Sequence, residues 1–187
     1  MGLPSIFVAV YILAALHPLL VVLVSSPSPG TNVVYEIGRN LALVAFPIIF
    51  VQPVLTARVP WIDGPAGIKN TLRFHQALGV AALVGLLCHP VCLAFGGAGI
   101  GLLASLQWPW YVIVGKITLA ILAVHVGLAL FRAQIGMPYK TWKRVHALTA
   151  PLVLAGAFVH SWFTGSDLGL RALQVYWIVL LVVAASA

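Results

Sequence analysis

Six apolar stretches occupy most of this chain, at roughly 3–24, 38–57, 73–95, 110–131, 145–163 and 168–187. Each is close to the ~20 residues a helix needs to cross a hydrocarbon layer about 30 Å thick. The helix breakers collect between them: Ser25-Ser26-Pro27-Ser28-Pro29-Gly30, Pro60 to Gly67, Gly96-Gly97-Ala98-Gly99, Gly136 to Pro138, and Gly165-Ser166-Asp167. With 62% hydrophobic and 7% charged residues, the chain has too little charge to clothe a water-soluble surface. An all-α, polytopic membrane protein of six helices follows. Pro18, Pro47, Pro53, Pro90 and Pro151 fall inside segments, which membrane helices accommodate when neighbouring groups re-satisfy the backbone.

The first segment is too long for a secretory signal core and has no positive flank, so it reads as a retained helix. Met1-Gly2-Leu3-Pro4-Ser5-Ile6 lacks the hydroxyl of an acylation signal. Cys88 and Cys92 lie one helical turn apart in an apolar run, and make neither a disulfide framework nor a zinc site. There is no Cys-x-x-Cys-His for covalent haem attachment. The net charge of +7 is expected to serve topology rather than nucleic acid, since no platform of interleaved basic and aromatic residues accompanies it.

Lysine and arginine set the orientation. Arg58, Lys69, Arg73, Arg132, Lys140, Lys143 and Arg144 fall at the second–third and fourth–fifth connections, against Arg39, Lys116 and Arg171 on the opposite side. This bias predicts a multi-pass protein of the cell (plasma) membrane with both termini cytoplasmic. The third and fifth helices then run parallel, from inside to outside. Trp61 and Trp142 are expected at the inner boundary, and Trp108, Trp110 and Trp162 near the outer one, as an interfacial belt.

Those two parallel segments share the chain's only internal similarity, Arg-x-His followed by a second histidine 14 residues on: Arg73-Phe74-His75 to His89, and Arg144-Val145-His146 to His160. Fourteen residues turn about 1400°, some 40° short of four turns, so both histidines of a pair lie on one helix face. They stand about 21 Å apart along the axis, near the two boundaries of the membrane core. A single intramembrane histidine reads as a neutral, hydrogen-bonded packing residue, but four in two matching pairs are hard to assign to packing and mark a site. Two histidines at each of two depths suit the axial positions of two stacked macrocycles. A compact zinc centre would instead bring its ligands to one depth. Bis-imidazole ligation leaves no open iron position and favours electron transfer. Arg73 and Arg144, two residues before the inner histidines, are placed to bind haem propionates, or serve the charge bias alone. His17 and His125 have no partner at the 14-residue spacing and read as hydrogen-bonded bundle residues or as polar or proton-carrying neighbours of a haem. Arg39 reads as a helix-end anchor or as a contact to the outer haem or a bound oxidant. Lys140 and Lys143 serve topology or the docking of a cytosolic donor.

These motifs resemble the ferric reductase-like transmembrane domain shared by ferric reductases, NADPH oxidases and smaller bacterial relatives. The resemblance covers residues 1–187 as one domain. It rests on the two histidine motifs, on Gly115-Lys116 at the opening of the fourth segment, and on Pro138-Tyr139-Lys140-Thr141-Trp142-Lys143-Arg144-Val145-His146. It implies two b-type haems stacked between the third and fifth helices, the inner iron held by His75 and His146 and the outer iron by His89 and His160. It also implies a cytosolic flavoprotein module, fused or separate, that supplies electrons from FAD and NAD(P)H, and an electron acceptor at the outer face. Animal-type oxidases carry a further histidine where this chain has Leu93, which argues against superoxide production as the task. No Gly-x-Gly-x-x-Gly fingerprint occurs. The flavin and nicotinamide domains are therefore expected in a continuation past Ala187 or in another chain. An alternative is a stand-alone haem subunit feeding a periplasmic reductase, as in the methionine sulfoxide reductase system. A transporter moving protons or metal ions would need acidic relay residues within the helices. The three acids, Glu36, Asp63 and Asp167, all fall in expected connections.

Overall fold

A computed structural model describes residues 5–25 and 32–187, which are helical or lie in turns, with no strand among them. The helices are α1 (Ser5–Ser25), α2 (Val33–Thr56), α3 (Pro60–Ala66), α4 (Ile68–Leu93), α5 (Gly101–Ala104), α6 (Trp110–Phe131), α7 (Tyr139–Thr164) and α8 (Arg171–Ser186). A π turn, Ala94–Ala98, prolongs α4, and a 3₁₀ turn, Ser166–Gly169, precedes α8. Among the described residues, α1, α2, α4 with its π turn, α6 and α7 are long and apolar enough to cross a membrane. The chain is a multi-pass membrane protein. The sixth apolar segment forms a helix of 16 residues, about 24 Å long and short of a full crossing.

Three helices begin earlier than the apolar segments predict: α2 at Val33, α4 at Ile68 and α7 at Tyr139. Hydropathy marks where lipid contact begins, whereas the backbone ladder runs on to the nearest cap or breaker. At α2 that cap is Asn32, whose side-chain oxygen accepts from the N–H groups of Val34 and Tyr35. Gly67, at φ 75°, breaks the chain before α4, and Pro138 precedes α7. Glu36 thus lies in the first turn of α2 rather than in a connection. The Gly115-Lys116 pair sits in the second turn of α6 rather than at its opening. After α2, Arg58 adopts the left-handed conformation at φ 60°, the turn that commonly ends a helix.

Two compact units result, one of Met1–Leu103 with Asp167–Ala187, the other of Ala104–Ser166. In the first, α2 packs against α1, α4 and α8. Its core is aromatic: Phe46 stacks on Phe50 at 4.2 Å and on Trp177 of α8 at 4.4 Å. Phe7, Tyr11 and Phe74 pack edge-to-face or tilted, and the Tyr11 hydroxyl donates to the Ile48 carbonyl at 3.3 Å. The second unit is built on α6 packed against α7. Thr118 of α6 lies so close to Gly156 of α7 that a Cβ there would overlap its hydroxyl. Lipid gives apolar helices no hydrophobic reason to associate, so close backbone approach at small residues takes over that role. The outward faces are correspondingly apolar, with Leu13, Leu20, Val124 and Leu152 exposed.

Candidate functional site

Each 14-residue histidine pair lies on one unbroken helix, His75 and His89 on α4 and His146 and His160 on α7. The first pair belongs to one unit and the second to the other.

His89 and His160 are held in the same way. The Nδ1 of His89 donates to the Gly38 carbonyl of α2 at 2.8 Å, and the Nδ1 of His160 donates to the Tyr111 carbonyl of α6 at 2.8 Å. A carbonyl only accepts, so in both rings Nδ1 carries the proton, which in a neutral imidazole leaves the lone pair on Nε2. Glycine permits each approach. A Cβ on Gly38 would stand 2.8 Å from Cys92 Cβ and 2.9 Å from the His89 carbonyl oxygen, and one on Gly115 would run into the His160 ring.

His146 is half-buried and sits in an aromatic setting. The His125 ring of α6 stacks on it at 4.0 Å with planes 27° apart, and Trp142, one turn earlier on α7, lies at 5.2 Å. Thr149 donates its hydroxyl proton to the Val145 carbonyl at 2.8 Å and therefore accepts from His125 Nδ1 at 2.6 Å. His125, Trp142, Val145, His146 and Thr149 together line a small cleft. His75 is half-buried and follows Phe74, which packs against Phe7 and Tyr11.

Other candidates separate clearly. Arg73 and Arg144 are exposed, and neither belongs to an ion pair among the described residues. Arg39 is engaged by carboxylates: its Nε donates to Asp167 at 2.7 Å, Nη2 donates to the other Asp167 oxygen, and Nη1 donates to Glu36 at 2.7 Å. That fork makes it a helix-end anchor. Lys116 donates to the Ser105 carbonyl at 2.5 Å. His17 stacks on Tyr176 at 4.4 Å, with its buried Nδ1 unpartnered among the described residues. Trp142 departs from a simple interfacial anchor, because its indole N–H is buried with no acceptor among the described residues. Cys88 and Cys92 are both free thiols. Among the described residues no three His, Cys, Asp or Glu side chains converge as metal ligands.

Sequence reasoning found all six histidines but not the groups that hold them. The carbonyls of Gly38 and Tyr111 lie 51 and 49 residues from the rings they orient, and a carbonyl carries no signature in sequence. Gly115 was legible as a motif, though not as the space beneath His160.

No curated protein and no solved structure matches the chain. Residues 40–157 match the ferric reductase-like transmembrane component, a stretch that carries His75, His89, His125 and His146. That match spans more than half of the sequence, and this chain belongs to the ferric reductase-like transmembrane family.

Proposed function

We propose that this protein passes electrons across the plasma membrane through two non-covalently bound b-type haems. His75 and His146 would hold the haem near the cytoplasmic face, and His89 and His160 the one near the outer face. The observation that carries this reading is the common state of His89 and His160, each with Nδ1–H given to a backbone carbonyl and its lone pair on Nε2. Metal-bound imidazoles characteristically spend their second nitrogen in this way, which fixes the tautomer and the ring direction. The donor set also fits. Each helix offers one imidazole at each of two levels about 21 Å apart, and among the described residues no third ligand joins any of them. The buried indole N–H of Trp142, beside His146, is a donor that a bound carboxylate would satisfy.

Haem held between two imidazoles supplies one-electron transfer at a six-coordinate iron. The chain's own part is to fix the ligands, exclude water with apolar helices and anchor the propionates. Arg73 and Arg144, exposed two residues before the inner histidines, would pair with those propionates. The basic ends of α4 and α7 would face the cytoplasm and a flavoprotein that delivers electrons from NAD(P)H. In this arrangement residues 1–187 are one domain and α8 is the sixth crossing, its 16 residues met by local thinning of the bilayer. An acceptor would approach the outer face.

The test is a reduced-minus-oxidised spectrum of the purified protein with haem counted per chain. A b-type α band and two low-spin haems per chain are expected. Absence of the band overturns the reading.

A further inference from the structure

His125 stands outside the paired motifs, yet its ring stacks on one of the proposed ligands at 4.0 Å. We propose that His125 is a positioning residue for His146: tethered by Thr149, its ring sets the rotation of the His146 imidazole about its iron bond. The inference rests on the haem reading above.

Three observations, all within the second unit, carry it. The two imidazoles stack at 4.0 Å with planes 27° apart, a face contact that resists rotation of either ring about its Cβ–Cγ bond. The His125 ring is itself fixed, because its Nδ1 proton goes to Thr149 at 2.6 Å. Thr149 is in turn fixed to the α7 backbone, since its only proton goes to the Val145 carbonyl at 2.8 Å. The relay therefore runs from the α7 backbone through Thr149 to a ring of α6 and back onto His146. His160 receives its orientation from the Tyr111 carbonyl. His146 receives the stacked His125 ring against its face. In bis-imidazole haem the ligand-plane angle governs the low-spin electronic structure, and outer-shell partners tune affinity and potential.

The experiment compares His125→Leu, His125→Phe and Thr149→Val with the wild-type chain, all purified with haem bound. Haem content, low-temperature electron paramagnetic resonance and redox titration are recorded, with the rate of haem transfer to apomyoglobin. In His125→Leu the signal and midpoint potential of one haem should shift, and that haem should leave about tenfold faster, while the other is unchanged. His125→Phe keeps the flat ring without the tether and should recover most of the wild-type signal. Thr149→Val keeps the ring without its fixing acceptor and should shift the same haem as His125→Leu, by less.

Wild-type signals for both haems in His125→Leu would overturn the proposal. So would equal changes in both haems, which would indicate general loosening. Loss of one haem in both the Leu and Phe variants would make His125 a ligand instead. If His125→Leu does not accumulate, an unchanged spectrum in Thr149→Val overturns the tether. A wild-type chain that binds no haem would sink the reading of function itself, a result distinct from two haems that ignore His125.

Discussion

His160 and Tyr111 meet across the α6–α7 contact with the ring Nδ1 2.8 Å from the carbonyl oxygen, and a residue one turn on, Gly115, leaves the room the ring occupies. His89 repeats the bond with Gly38 within the first unit, again at 2.8 Å. Two histidines 71 residues apart in sequence thus present the same tautomer by the same means.

Gly115→Ala should disturb that arrangement selectively. Its Cβ would collide with the His160 ring, and overpacking of this kind costs about 1–3 kcal/mol. On the proposed two-haem reading, haem per chain should fall from two toward about one. Gly127→Ala on the same helix is the control, because a Cβ there meets nothing within 4 Å. It should leave haem content unchanged.

His89→Ala and His146→Ala should each remove a different haem, leaving roughly one per chain. Redox titration would show a different component missing in each variant. Loss of both components from either single variant would argue against two separate levels.

Arg39 ties α2 to the segment before α8 through a two-pronged contact with Asp167, whose side chain is only 12% exposed. Arg39→Ala strands two carboxylates, Asp167 and Glu36, and should cost about 1–3 kcal/mol. The melting temperature in detergent should drop by several degrees. Arg39→Lys should recover only part of this, since an ammonium cannot reproduce the fork.

Trp177 is 2% exposed and completes the stack with Phe46 and Phe50. Trp177→Ala opens a cavity between α2 and α8, and a loss of about 3 kcal/mol is expected. Phe should serve better than Ala at this position, because a flat ring still covers Phe46. Thermal unfolding of the two variants checks the order.

Five of the six apolar segments were legible in sequence as membrane-length helices, because a bilayer demands about twenty apolar residues whatever the neighbours are. The sixth forms a helix of 16 residues. Helix ends were not legible. Asn32, Gly67 and Pro138 terminate the ladders outside the apolar stretches, through local backbone chemistry that hydropathy does not weigh. Glu36 shows the consequence, moving from an expected connection into the first turn of α2 as a partner of Arg39.

The candidate site divides along the same line. The 14-residue step placed His75 with His89 and His146 with His160, because helical geometry alone puts such residues on one face. Membrane residence, helical class and the sharing of one helix by each histidine pair were therefore determined by sequence. Which carbonyls orient His89 and His160, that Arg39 is spent on Asp167 and Glu36, and that His125 stacks on His146 were decided only by the tertiary structure. Those contacts depend on each helix's rotation and register against its neighbour. In an apolar chain that information resides in a few small residues such as Gly38, Gly115 and Gly156, whose meaning emerges only when the opposing helix is in place.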